Sequence, residues 1–347
     1  GLNMPGFQAG LANSSKTLDI YQDGESACAV LDDSSLWCWG QGGNYALGTG
    51  NTSSSTVPVP VGRPGGWVDK TVSISIGGQW ACELLSDGVV QCWGNQYPTG
   101  AATEGGSASN DYSIEEPEPV LGLARDAVLV EAGNQHACAI LDNGSVQCWG
   151  YNYAGQLGLG YRCLTGSEGD CSTESGSPNG IEYPRYMVLP AGRTAVGLNV
   201  WESNTCVILD DHSYVCTGYL DGYELSTPVY ANGSYRISSA DQYGAVDTNG
   251  NLLNLNYGGG SLSLTSFIVY NRNAANTTYG SSSSLSQDIR TLSGSEVYWA
   301  SYYGMCALFH NGSLACGQLN SYENDQDEYR GYLHQAWIET PSGTEAA

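Results

Sequence analysis

Basic side chains are scarce in this chain: Lys and Arg number 11 against 35 Asp and Glu, and Lys16 and Lys70 are the only lysines. The formal charge is therefore −24 although charged residues make up only 13% of the sequence, about half the usual share. A surface this negative repels phosphate backbones, which excludes nucleic acid as a partner. No run approaches the roughly 18 apolar residues that cross a bilayer, and no polybasic stretch offers an anchor, so direct membrane insertion is not expected. Long Ala/Glu/Lys/Leu segments of the kind that build helices are missing. A CxxC pair is missing too, which removes zinc ribbons and redox motifs.

What is present favours an all-β protein. Gly reaches 47 residues, with Tyr at 24 and Trp at 9, a composition of turns and short strands. The 41% hydrophobic content is enough for a core and speaks against disorder. Twelve cysteines, an even count without metal-type spacing, read as disulfides and hence an oxidising, extracellular setting. No signal peptide is recognisable at Gly1, so the chain is expected to be a processed mature form or a fragment.

Internal repetition settles the architecture. Three segments align at once: ACAVLDDSSLWCWG (27–40), ACELLSDGVVQCWG (81–94) and ACAILDNGSVQCWG (137–150). A fourth, TCVILDDHSYVCTG (205–218), loses the Trp; a degenerate fifth spans 243–258; a sixth, MCALFHNGSLACGQ (305–318), keeps the cysteines and the turn. Copies lie 38 to 68 residues apart, the spacing of propeller blades with variable loops. Each reads as a β-hairpin around a three-residue loop: Gly88, Gly144, Gly250 and Gly312 take the left-handed position, and Ser34 and His212 fill it less comfortably. A strand is expected upstream of each hairpin (72–76, 127–130, 195–200, 235–238). A Pro-marked exit strand follows downstream (56–61, 116–121, 183–189, 227–230, 266–270, 336–340). Four strands per copy give a β-propeller of six blades, or seven if residues 1–16 complete a divergent one. The expected layout is an N-terminal extension (1–16), a single propeller domain (17–341) and a tail (342–347).

Ten cysteines form five pairs at one offset: Cys28/Cys38, Cys82/Cys92, Cys138/Cys148, Cys206/Cys216 and Cys306/Cys316. A three-residue loop places the two members opposite each other, with Cα atoms about 4.5–5.5 Å apart, within reach of a disulfide. In the fifth copy both positions are lost together, as Gly244 and Asn254, which is what pairing requires. Cys163 and Cys171 are expected to close the Gly/Ser-rich insertion 160–180. Each short loop limits a bridge to roughly 2–3 kcal/mol.

These residues resemble the regulator of chromosome condensation repeat family, whose blades carry A-x-x-x-D-G-x-V-x-x-W-G-x-N-x-x-G-Q-L-G. The third copy matches from Ala139 through Asp142, Gly144 and Val146, then Trp149-Gly150-Tyr151-Asn152-Tyr153-Ala154-Gly155-Gln156-Leu157-Gly158. The first keeps Trp39-Gly40 and Leu47-Gly48, and the second keeps Trp93-Gly94-Asn95. The resemblance implies a β-propeller, usually of seven blades. Cysteines flanking the hairpin look like the secreted branch, which includes the ectodomains of crinkly-type plant receptors. The founding nuclear member is a guanine nucleotide exchange factor bound to chromatin; paired cysteines and a charge of −24 argue against that activity here.

Catalytic motifs are missing: there is no P-loop, G-x-S-x-G elbow, HExxH or dinucleotide fingerprint. His136, His212, His310 and His334 occupy unrelated repeat positions. The acidic run 323–328 lacks the Gly and terminal Glu of a calcium loop and reads as solvated. The Asp pairs 32–33 and 210–211 cap turns. Trp39, Trp93 and Trp149 recur at one position and read as packing residues. Trp67, Trp80, Trp201, Trp299 and Trp337, with Tyr97, Tyr302 and Tyr303, break the register and are candidate contact aromatics. No cofactor or metal is expected. Sequons fall at Asn13, Asn51, Asn143, Asn232, Asn276 and Asn311, all in expected loops or hairpin tips.

The reading is a non-enzymatic extracellular propeller that contacts other protein chains, either as a repeating subunit of a filament, sheath or matrix or through a surface partner. Variable loops at 100–113, 160–180, 271–286 and 320–331 are the expected contact surfaces. The alternative is a ligand- or glycan-recognition ectodomain. A carboxylate-based hydrolase or lyase is a distant third.

Overall fold

The computed structural model describes residues 17–23, 26–31, 33–63, 70–95, 113–164, 171, 180–220, 223–232, 235–240, 244–258, 261–266, 270–271, 289–297, 302–309, 314–319 and 332–333. For the first strand and for the strands beyond Leu253 the description is of the backbone. Two compact units emerge, one of residues 4–210 with 215–230, the other of 1–3, 211–214 and 231–347.

Blade one comprises β1 (Thr17–Asp23), β2 (Ser26–Leu31), β3 (Leu36–Gly40) and β4 (Ser55–Pro60). Blade two comprises β5 (Thr71–Gly77), β6 (Trp80–Leu85), β7 (Val90–Gly94) and β8 (Ile114–Pro119). Blade three comprises β9 (Ala127–Ala132), β10 (His136–Leu141), β11 (Val146–Tyr151) and β12 (Gly180–Tyr186). Blade four comprises β13 (Ala195–Trp201), β14 (Asn204–Leu209), β15 (Tyr214–Leu220) and β16 (Tyr223–Asn232). Blade five comprises β17 (Ile237–Ala240), β18 (Gly244–Asp247), β19 (Leu252–Gly258) and β20 (Ser261–Ser266). The two-residue strand β21 (Tyr270–Asn271) precedes blade six: β22 (Ile289–Val297), β23 (Tyr302–Phe309), β24 (Leu314–Leu319) and β25 (Tyr332–Leu333). Within every blade consecutive strands are antiparallel neighbours, and β21 runs parallel to β25. The architecture is that of all-β propeller blades, with six in chain order among the described residues.

One exit strand differs from expectation. In blade five the exit strand is Ser261–Ser266, not 266–270, because Gly258 pairs directly with Ser261 and the glycine-rich junction permits a two-residue hairpin. The last residues of β16, Ala231 and Asn232, pair in parallel with Leu262 and Ser263 of that strand. In blade six the described fourth strand is Tyr332–Leu333; the expected 336–340 and the N-terminal extension 1–16 lie outside the described residues.

Strand alternation determines the packing. On β10 the side chains of Cys138 and Ile140 join a buried cluster with Val207, Leu209 and Val215 of blade four. Ala137, Ala139 and Leu141, with Trp149 of β11, join a cluster with Trp80, Cys82, Leu84 and Cys92 of blade two. Blade two repeats the arrangement, its Ala81 and Trp93 packing with Cys28, Val30, Leu36 and Cys38 of blade one. At the seams among blades one to four, the hairpin thus offers its cysteine face to the following blade and its Ala/Trp face to the preceding one. The core of the first unit is a series of inter-blade layers, in which each fully buried aliphatic side chain contributes ~1.5–3 kcal/mol.

The motif glycines follow from this geometry. The Gly after the repeat Trp or its equivalent has φ between 97° and 108° in all four of Gly40, Gly94, Gly150 and Gly218, a region closed to residues with a Cβ. Gly48 lies under Trp93: a Cβ there would sit 2.7 Å from the indole nitrogen, which donates to the Ala46 carbonyl at 3.0 Å. At the hairpin tips Gly88, Gly144 and Gly250 are left-handed, and so are Ser34 (φ 63°) and His212 (φ 65°).

Every inner strand carries one register shift at the same place, at Leu18, Val72, Val128, Val196, Ser238 and Arg290. A bulge leaves its residue unpaired and turns the side chain outward. Outer strands carry proline instead: Pro58 and Pro60 in β4, Pro117 and Pro119 in β8, Pro184 in β12 and Pro228 in β16. Lacking an N–H, the prolines of β4, β8 and β12 oppose edge-to-edge strand addition, whereas β16 beyond Pro228 does pair with β20.

One seam position departs from the apolar rule. Glu83 occupies the place held by Ala29, Ala139 and Val207, and its side chain is fully buried. Arg63 closes on it with both terminal nitrogens, one Nη2–Oε2 bond measuring 3.0 Å, and Thr71 Oγ1 donates to Oε2 at 2.8 Å. Arg63→Ala strands a buried carboxylate and is expected to cost about 3–5 kcal/mol in denaturant unfolding. The double variant Arg63→Ala/Glu83→Ala should recover most of that loss. Equal losses in the single and double variants would contradict this account.

Candidate functional site

Among the described residues five disulfides are present: Cys28–Cys38, Cys82–Cys92, Cys138–Cys148, Cys206–Cys216 and Cys163–Cys171. The four hairpin bridges span Cα–Cα distances of 4.0–4.1 Å, tighter than the spacing anticipated from sequence, whereas the insertion bridge spans 5.3 Å. Cys306 stands directly opposite Cys316 in register, as Gly244 does Asn254 in the bridge-free blade. Cys163 and Cys171 are buried in the layer between blades three and four, so the insertion is tied into the core at both of its cysteines.

Two residues before the first cysteine, a different side chain reaches the next blade at two of the seams, whereas Ser26 donates to Gln41 of its own blade. Trp80 Nε1 donates to the Gly133 carbonyl at 2.9 Å. His136 Nε2 lies 2.8 Å from Thr205 Oγ1. Where the repeat Trp is replaced by Thr217, the hydroxyl donates to the Gly155 carbonyl at 2.9 Å, so the cross-seam hydrogen bond survives loss of the indole. In the blade-three loop Asn152 Nδ2 donates to the Tyr161 carbonyl, Asn152 Oδ1 accepts from Leu157 N, and Gln156 Oε1 accepts from Ala154 N. The family's Asn and Gln positions are therefore loop scaffolding.

Asn51 and Asn143 are exposed, and both hold side-chain turns: Asn51 accepts from Ser53 N, and Asn143 accepts from Ser145 N and Oγ. Asp33 and Asp211 make the same contacts to Ser35 and Ser213, which confirms a capping role. Asn232 closes β16, while Asn13, Asn276, Asn311, His310, His334, Trp67, Trp299, Trp337, Tyr97 and the acidic run 323–328 lie outside the described residues. Tyr302 and Tyr303 belong to β23, and His212 Nδ1 lies 3.2 Å from the Ile237 carbonyl. Trp80 is a core residue, not a surface contact. Among the described residues no cluster of His, Cys, Asp and Glu has the arrangement of a metal site.

Two surface features escape the sequence pattern. The bulge residues Val72, Val128 and Val196 are 56%, 56% and 58% exposed at equivalent corners of successive blades, with Leu121 and Val188 exposed beside them in the repeat. At the opposite end of the blades, Tyr161 and Tyr219 are exposed beside an ion pair between Arg162 and Glu224, and Tyr223 is exposed on the other face of β16. A bulge is not encoded by hydrophobic alternation, and the Tyr161 and Tyr219/Tyr223 segments are brought together only across a seam.

Blade three also holds two groups displaced in opposite directions. Desolvation lifts the Glu131 carboxyl from 4.5 to about 7, although Ser75 Oγ of blade two donates to it at 2.9 Å. Burial depresses His136 from 6.5 to about 3. The Glu131 contribution to stability is complete below pH 4.5 and is lost as pH rises through about 7. The His136 contribution is complete above pH 6.5 and is lost as pH falls toward about 3. The two slopes oppose each other between those limits. Melting temperatures of Glu131→Gln should therefore fall on acidification more steeply than those of the parent protein, and those of His136→Asn should fall more steeply from pH 5 to 8. Profiles parallel to the parent in both variants would refute the assignment.

Comparison with known proteins gives two matches to the Regulator of chromosome condensation (RCC1) repeat, at residues 33–82 and 127–156. E3 ubiquitin-protein ligase HERC2 of Homo sapiens is 27% identical over 172 residues, 49% of this chain and 3% of that protein. RCC1 domain-containing protein RUG3, mitochondrial, of Arabidopsis thaliana is 30% identical over 132 residues, 38% of this chain and 28% of that protein. The match thus spans well under two thirds of either relative. Among solved structures, human WBSCR16 superposes with a TM-score of 0.66 at 14% identity, covering 93% of this chain and 82% of that one. Prp20p from Saccharomyces cerevisiae superposes with a TM-score of 0.64 at 15% identity, covering 92% and 77%. These likenesses show the fold, and two segments of the chain, 33–82 and 127–156, match the RCC1 repeat.

Proposed function

We propose that this protein is a non-enzymatic extracellular interaction module, and that it assembles with copies of itself as a repeating subunit of a filament, sheath or matrix. The observation that carries the reading is the apolar corner formed by Val72, Val128 and Val196, exposed by a bulge in each of three successive blades. Exposed apolar side chains repeated at this spacing suit a protein contact. Proline in β4, β8 and β12 opposes assembly through those strand edges, which favours the ends of the blades. An oxidising location is supported by the buried disulfides. Cys306–Cys316 would add a further bridge, and Asn51 and Asn143, exposed at turns, would carry glycans together with the remaining sequons.

At a charge of −24, copies repel one another until salt screens them. Assembly should consequently grow with ionic strength. Negative-stain electron microscopy and light scattering on natively isolated, unreduced protein should show an ordered or large defined assembly. Val72→Asp/Val128→Asp/Val196→Asp should dissolve it, and the intact mass should fall after N-glycan removal. A monomer at all salt concentrations would remove the filament reading.

A further inference from the structure

The geometry points to a carbohydrate-binding site for neutral, hydroxyl-rich polysaccharide on the seam between blades three and four, at the end remote from the Asn143 tip. The seam is built by backbone contact: Gly160 N donates to the Ser226 carbonyl at 2.8 Å, which sets the 160–162 segment beside the start of β16. Arg162 then forms an ion pair with Glu224, and the two side chains remain 30% and 42% exposed. Two tyrosines flank the pair. Tyr161 precedes Arg162, and Tyr219 is the direct cross-strand partner of Glu224 on the face of blade four turned to blade three; Tyr223 takes the other face of the sheet. Tyr161 and Tyr219 are 40% and 48% exposed, high for aromatic rings.

The chemistry selects the ligand. Exposed tyrosine rings offer an apolar face and a polar tip, which match the C–H faces and hydroxyl groups of a hexose. The guanidinium supplies several donors in a fixed fork, and the carboxylate beside it supplies acceptors, a pairing suited to neighbouring hydroxyl groups. Charge rules out the other polymers. A chain of −24 repels acidic polysaccharide, and Arg162 is already neutralised by Glu224. A cationic chain would seek open carboxylates, whereas Glu224 is engaged by Arg162. What fits is uncharged. This site is separate from the valine corner and does not depend on self-assembly.

Affinity electrophoresis reads the proposal directly, because the acidic protein migrates in native gels. Gels would contain mixed-linkage β-glucan, galactomannan or xyloglucan, with polygalacturonate as the acidic comparison. At least one neutral polymer should retard the intact protein, and polygalacturonate should not. Tyr161→Ala/Tyr219→Ala should raise the apparent Kd at least tenfold, as should Arg162→Ala/Glu224→Ala. Tyr186→Ala/Tyr230→Ala, whose rings are 52% and 50% exposed at the other end of the same blades, should leave it unchanged. Equal melting temperatures establish that the variants are folded. No retardation by any neutral polymer, equal retardation by polygalacturonate, or equal loss in the Tyr186/Tyr230 pair would each overturn the proposal.

Discussion

The two faces of one β-hairpin govern this structure. A four-stranded blade cannot bury both of its surfaces alone, so every hairpin must be matched on each side. Strand alternation meets that demand with a bridge and bulky aliphatic residues on one face, small residues and an indole on the other. A disulfide between directly opposed strands is compact and apolar. It presents to the following blade a surface with no hydrogen bond left to satisfy. The Trp of the next hairpin lies over the loop of the blade before it, and Gly48 has no side chain because the ring of Trp93 fills that space.

Polar groups individualise the seams. The Arg63–Glu83–Thr71 network lies between blades one and two, Ser75–Glu131 and Trp80–Gly133 between two and three, and His136–Thr205 between three and four. Repeats that packed only through interchangeable apolar faces would tolerate the wrong neighbour. A buried polar partner that fits one blade alone penalises misordered contacts. The ends of the blades, free of that requirement, expose the bulge valines and the seam tyrosines.

Much of the fold was legible in the sequence because a repeat multiplies weak evidence. The cysteine offset, the loop glycines and the joint loss at Gly244 and Asn254 each indicate the same hairpin register, and the strands pair that way. Ser34 and His212 adopt the left-handed backbone that the alignment demanded of them. Exit strands were harder, since Pro marks an edge without fixing where pairing starts, and blade five starts directly after Gly258. Candidate sites were least legible. His136 reads as an irregular repeat residue until Thr205 of the next blade is placed against it, and Glu131 gives no sign in sequence of losing its water. The bulge escaped because one extra residue shifts which face a side chain occupies without changing composition.

The directional packing of the hairpins is tested most directly by hydrogen–deuterium exchange on Cys138→Ala/Cys148→Ala, which deletes one bridge from the layer it shares with blade four. The account predicts loss of protection in β10, β11, β13 and β14, with β6 and β7 of blade two unchanged. Deprotection confined to the β10–β11 hairpin, or spread equally into blade two, would contradict it.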